Sequence, residues 1–278
     1  MAVVPTPQAP PPASLESGLR YELRLFFTAM QFFTRLPVPR WVGFKPDWLA
    51  HATRYFPAIG ILIAILCASV YAILVYCLPS PLAVLLSTAV GIYLTGALHE
   101  DGFADVCDGF GGSMQPQRIL EIMRDSRIGA FGSIGIVLLL ATKIVSLVYL
   151  PPAQVIPALL LAHPWSRCCA AGLIWRMDYV REEGKAKPLA QQMSTTEFMV
   201  ATLTAMLPLM LCLALDWLRW PAVILAVLMG LVVTFFMAHR FRRRIGGYTG
   251  DCLGAVQQLS EVAIYLGLLA AVSPALSS

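Results

Sequence analysis

The chain has 278 residues, of which 58% are hydrophobic and 13% charged, and its mean hydropathy is +0.71. Soluble domains carry about 25% charged residues, so a water-soluble globular protein is excluded and a membrane protein is indicated. The net charge of +4 does not argue for nucleic acid, because the basic residues sit at the ends of apolar stretches, where membrane proteins place them.

The first 18 residues, with PTPQAPPP at 5–12, have no apolar core of the signal-peptide kind. They are expected to form a disordered cytosolic extension, since proline-rich polar chain neither builds helix nor buries surface. Residues 19–278 then read as a single integral membrane catalytic domain. Residues 19–36 (LRYELRLFFTAMQFFTRL) mix charge and aromatic side chains at helical spacing. Arg20, Glu22, Arg24 and Arg35 interrupt this stretch too often for a span, which predicts an amphipathic helix lying at the interface.

A membrane span needs about 20 mainly apolar residues. Seven stretches meet that length, near 55–78, 81–99, 129–150, 153–175, 197–218, 220–238 and 250–273. The fold class is therefore all-α, a polytopic helical bundle of about seven transmembrane helices plus the amphipathic helix. All Lys and Arg except Lys143, Arg167 and Arg219 fall before the first span or in the even-numbered loops. The positive-inside rule makes that side cytoplasmic, with the carboxyl terminus outside. The RFRRR run at 240–244 reads first as part of this flank. Six of the seven cysteines (Cys67, Cys77, Cys168, Cys169, Cys212, Cys252) lie in or beside apolar stretches, where cysteine serves as a small hydrophobe.

The end of the second span and the loop after it, TGALHEDGFADVCDGFGG from Thr95 to Gly112, concentrate acid at the membrane edge. Asp101, Asp105 and Asp108 are related as i, i+4 and i+7, so on a helix the three carboxylates share one face. Like charges so close repel, and nearness to lipid adds to the cost, unless a cation neutralises them. Oxygen-only ligands point to magnesium, or manganese in its place. Gly102 and Gly109 follow two of these acids and are read as letting a diphosphate approach the backbone. His99 is an interfacial histidine or a ligand.

The next block, ILEIMRDSRIGAFG at 119–132, carries Arg124, Asp125 and Arg127. Arginine donates paired hydrogen bonds to phosphate, but on spacing alone the two arginines read equally as a positive-inside flank. The third block, GGYTGDCLGAVQQLSE at 246–261, puts Asp251, Gln257, Gln258 and Glu261 in the first turns of the last span. Asp251 is a functional candidate or a helix cap. Lys143, His163 and Arg167 are buried polar candidates with either a functional or a structural pairing.

Together these blocks resemble the cobalamin synthase family, the adenosylcobinamide-GDP ribazoletransferases. The likeness rests on His99-Glu100-Asp101-Gly102 through Asp105 and Asp108-Gly109, on Arg124 to Gly129, on Gly247 to Asp251 with Gly254, and on FFTRLPVP at 32–39. It implies transfer of the cobinamide-phosphoryl group of adenosylcobinamide-GDP to α-ribazole or its 5′-phosphate, with release of GMP, at the bacterial inner membrane. It also implies Mg2+ on Asp101, Asp105 and Asp108, and Glu100 as a further ligand or the base. Asp105 and Asp251 are then catalytic, and Arg124, Asp125 and Arg127 bind substrate. Self-association, or association with other cobalamin-assembly enzymes, stays open. A looser likeness to the CDP-alcohol phosphotransferases fails at Asp105, where that family has arginine. A transporter is the rival reading, weakened because the acids gather at one membrane edge.

Overall fold

The computed structural model describes residues 18–181 and 193–272. The proline-rich segment, Lys185 and Lys187 lie outside them. Among the described residues the protein is helical, and one isolated bridge, between Tyr179 and Tyr248, is its only β-type pairing.

Helix α1 (Gly18–Phe33) turns Leu25, Ala29, Met30 and Phe33 inward at helical spacing and leaves Leu19 and Leu23 exposed. It is fastened by Glu22, whose carboxylate accepts from Arg54 at 3.2 Å and from the Tyr55 hydroxyl at 2.6 Å. A short α2 (Pro46–Ala52) runs through one 3-10 turn into α3 (Phe56–Leu74), and Asp47–Leu74 makes the first long apolar span.

Helix α4 (Ser80–Thr95) stops earlier than the apolar pattern suggests. Gly96 and Ala97 both adopt left-handed backbone (φ 64 and 57), and α5 (Leu98–Gly112) leaves at 88° to α4. Gly96 suits this turn because a left-handed residue with a Cβ is strained. The space a Cβ would fill also holds the Arg35 side chain, 2.9 Å away at Nε. The acid-bearing segment is thus a separate helix, not the end of a span.

Helices α6 (Pro116–Ile122), α7 (Ala130–Tyr149) and α8 (Pro152–Arg176) follow, then α9 (Thr195–Ala214), α10 (Trp220–Ile245) and α11 (Gly250–Val272). Helices stand at all seven places expected to span. By length and composition five qualify among the described residues, or six if α4 and α5 count as one broken span. Helix α8 is long enough at 25 residues but is not apolar enough. It carries His163, Arg167, Pro157 and Pro164, and its polar groups turn inward.

The bundle is built around α11, which packs against α5, α7, α8 and α10. Two-thirds (67%) of its most apolar stretch is buried, against 28% for α7, α9 and α10. The outer helices therefore present leucine, valine and phenylalanine to lipid, while α11 forms the axis on which the polar side chains converge.

Candidate active site

The site is set by how closely α5 approaches α11. A Cβ on Gly102 would lie 2.9 Å from the Asp251 Cα, and one on Gly254 would lie 3.0 Å from the His99 carbonyl oxygen. Only glycine allows this approach, in the way small residues do at membrane helix crossings. The crossing brings Asp101 and Asp105 of α5 within Coulombic reach of Asp251 on α11. Gly102, expected at the substrate, faces Asp251 backbone. Gly109 likewise faces Met123 and the Ile119 carbonyl of α6. Both are contact points between helices.

The turn leading into α11 explains the GGYTGD segment. Gly246 ends α10 in left-handed backbone (φ 82). Gly247 has no room for a Cβ against the Asp178 carbonyl. The Tyr248 amide donates to Asp178 O at 2.9 Å and the Val180 amide donates to Tyr248 O at 3.0 Å. This pairing delivers Arg181 to the site, where it meets Asp251 at 2.7 Å and donates to the Met123 carbonyl at 3.2 Å. Thr249, rather than Asp251, accepts the Cys252 amide at the start of α11, at 3.4 Å. Asp251 accepts from Arg181 and, at 3.4 Å, from the Thr249 hydroxyl. Sequence reasoning counts Arg181 only among flank charges, and the Gly-Gly-Tyr turn that holds it was the available signal.

Asp108 takes a different task from the one its spacing suggests. Its Oδ2 accepts the Gly129 amide at 2.7 Å and its Oδ1 accepts the Gly132 amide at 2.8 Å. The carboxylate therefore caps α7, where the unpaired amides and helix dipole favour negative charge. Asp125 is likewise engaged. Arg127 donates to it from Nη2 at 2.6 Å and from Nε at 3.0 Å, and these bonds hold the exposed carboxyl down at about 2. Arg124 is exposed nearby, within electrostatic reach of Tyr179.

Glu100 points away from this acid face. It is buried among polar groups, where its Oε1 accepts from Gln258 at 2.8 Å and its Oε2 has no partner. It lines a second cavity of about 20 Å³ together with Lys143, His163, Arg167 and Glu261. There Lys143 pairs with Glu261 at 2.7 Å, Tyr265 and Gln257 donate to the same carboxylate, and Arg167 donates to the His163 carbonyl. Lys143 and Arg167 are thus structurally partnered.

Asp101 and Asp105 differ from all these acids. They have neither a hydrogen bond nor an ion pair to their carboxylates among the described residues, and they are exposed and half-buried respectively. Among the described residues no three of the His, Cys, Asp and Glu side chains converge to hold a metal between them. Magnesium does not require such a cage, because it keeps waters and takes one or two carboxylates plus substrate phosphates. The unpartnered i, i+4 pair fits that coordination.

A cleft of about 1030 Å³, counted to its open mouth, starts here. Asp101, Asp251, Arg181 and Tyr179 line one part of it, and Phe32, Phe33 and Phe56 another. Asp101 in the cleft, with Asp105 one turn along α5 and within electrostatic reach of the Arg181–Asp251 pair, suits a metal-bound phosphate ester.

The family model described as cobalamin-5-phosphate synthase matches residues 25–269. The chain belongs to this family. Adenosylcobinamide-GDP ribazoletransferase from Leptothrix cholodnii is 43% identical over 263 residues, covering 92% of this chain and 98% of the relative. The protein of that name from Shewanella frigidimarina is 42% identical over 254 residues, covering 90% and 95%. The one from Vibrio cholerae is 41% identical over 255 residues, covering 91% and 95%. No solved structure matches. The span matched to cobalamin-5-phosphate synthase runs from within α1 to within α11 and takes in every residue of the cleft.

Proposed function

We propose that this chain transfers the cobinamide-phosphoryl group of adenosylcobinamide-GDP to α-ribazole or α-ribazole 5′-phosphate. GMP leaves, and adenosylcobalamin or its 5′-phosphate is formed. The observation that carries the reading is the Asp101–Asp105 pair, without partners among the described residues and within electrostatic reach of Asp251, with Asp101, Asp251 and Arg181 lining one cleft. The names of the relatives support the substrates.

In this reading a ribose hydroxyl of ribazole attacks the cobinamide-bearing phosphorus. An oxygen–phosphorus bond forms, the bond to the GMP oxygen breaks, and GMP carries away the electron pair. Asp101 and Asp105 would hold Mg2+, which when bound neutralises charge on the diphosphate. Arg181 holds a diphosphate oxygen and stabilises the charge that develops there. Asp251 accepts the proton of the attacking hydroxyl, a task the geometry favours for it over the inward-facing Glu100. Arg124 stands at the rim as a further phosphate donor. Asp108 acts indirectly by fixing the start of α7 against α5.

The arginine-rich helix ends support a cytoplasmic site in the inner membrane, where soluble nucleotide substrates can reach the cleft. The test is product formation by detergent-purified protein given adenosylcobinamide-GDP, α-ribazole or its phosphate, and magnesium. Cobalamin and GMP in equal amounts support the proposal. GMP formed without ribazole, with no cobalamin, would make the chain a hydrolase.

A further inference from the structure

The cleft runs inward from the phosphate-binding mouth to a wall of aromatic rings. Phe32 and Phe33, from the end of α1, meet with ring centroids 4.8 Å apart. Phe33 meets Phe56 of α3 at 4.1 Å, and the His99 imidazole lies nearly parallel to Phe33 at 6.0 Å and 13°. The wall is held in place behind. The Arg35 amide donates to the Leu94 carbonyl at 2.7 Å, and the Arg35 side chain covers Gly96 and lies over the Tyr93 ring. Nothing in the phosphate chemistry at the mouth uses these rings, two of which come from the FFTRLPVP segment at 32–39.

The cleft also carries a polar atom that lacks a partner. Arg167 lines it with only 4% of its surface exposed, and its Nε has no hydrogen-bond partner although Nη1 donates to the His163 carbonyl at 3.0 Å. A buried donor without an acceptor costs free energy, and a ligand acceptor would relieve it. Gln257 beside it is occupied by Ser166, Glu261 and Gln258, and Arg181, whose Nε also lacks a partner, sits with Asp251 at the phosphate end, so Arg167 supplies a donor apart from that end. Apolar rings beside this guanidinium match a flat aromatic heterocycle that carries an acceptor nitrogen.

We infer that the aromatic cleft is the subsite for the base of the ribazole nucleoside, stacked at the Phe32–Phe33–Phe56 wall with its acceptor nitrogen toward the Arg167 guanidinium. The inference rests on the transferase reading above. It places the ribose at the mouth, with its hydroxyl toward Asp251 and the carboxylate pair. The corrin macrocycle with its side chains remains outside, with only its diphosphate in the mouth. Selectivity among lower-ligand bases is then set by Phe32, the ring of this wall that is only half-buried.

Binding and kinetics on purified full-length protein separate the possibilities. Calorimetric titration with α-ribazole alone reads the subsite without turnover. Phe32→Ala is expected to weaken α-ribazole binding and raise its KM about tenfold, the scale of lost base–aromatic stacking, and to leave the KM for adenosylcobinamide-GDP unchanged. Phe32→Tyr restores both values, and Phe32→Leu, which keeps bulk without a ring, behaves like the alanine variant and decides the matter if alanine fails to fold. An unchanged ribazole KM in Phe32→Leu, or a rise that falls on adenosylcobinamide-GDP, overturns the subsite while the transferase reading stands. Wild type that binds ribazole but releases no GMP overturns the transferase reading and leaves the aromatic subsite supported.

Discussion

Among the described residues Asp101 and Asp105 have no partner for their carboxylates, and this sets them apart from Asp108, Asp125 and Asp251. Asp105→Asn keeps the size of the side chain but removes half of the charge offered to a cation. Ribazole-dependent GMP release is expected to fall by at least about a hundredfold, the scale of losing one electrostatic stabiliser of the transition state, with expression retained. Arg181→Ala is expected to lose a similar amount. Arg181→Lys recovers only part, since an ammonium lacks the guanidinium fork. Asp125 belongs to a different class. Arg127 holds its carboxyl down at about 2, so whatever stability the pair adds is present above the ordinary carboxylate range and is lost only as pH falls through about 2. Because the pair is exposed, Asp125→Asn is expected to leave both the melting temperature and the neutral pH–activity profile close to wild type.

Helix by helix, the site depends on close crossings. Gly102→Val would push α5 away from Asp251, and overpacking of this kind costs about 1–3 kcal/mol. Thermal melting in detergent should register that loss, and GMP release should fall more than the melt alone explains, because the acid pair moves off the Arg181–Asp251 pair. Gly132→Ala acts on the other end of α5. Its Cβ would collide with the Asp108 carboxylate and expel the cap of α7. The acid face of α5 was legible from sequence because i, i+4 and i+7 periodicity is local. The diversion of Asp108 was not, because the amides it accepts lie 21 and 24 residues further on. The same reason hides Glu100, whose partner Gln258 is 158 residues away. The turn at Gly96–Ala97 was missed because apolarity continues across it and only the backbone conformation marks the break.

Across the whole molecule, composition and the spacing of apolar stretches made the helical bundle legible, and basic-residue placement its expected orientation. What they could not reveal was the polar interior around Glu261. Lys143, Gln257 and Tyr265 all converge on this carboxylate in the middle of the bundle. Removing one partner of a buried pair costs about 3–5 kcal/mol, whereas replacing both with apolar side chains is often neutral. Glu261→Ala is therefore expected to lower the melting temperature sharply in detergent. The double variant Lys143→Met/Glu261→Met should recover a substantial part of the loss. Equal destabilisation in the single and double variants would show that the network contributes through Gln257 and Tyr265 instead of through the ion pair. The helix that carries Glu261 also carries Asp251, so the network fixes the axis to which the site is attached.

The α5–α11 crossing is proposed as a magnesium-dependent phosphoryl-transfer site. Its most direct test is GMP release from adenosylcobinamide-GDP by wild type and Asp105→Asn side by side, with and without ribazole, magnesium and a chelator. Release by wild type that requires ribazole and magnesium and disappears in Asp105→Asn is the predicted result. Undiminished ribazole-dependent release by Asp105→Asn, or by wild type in chelator, would contradict it.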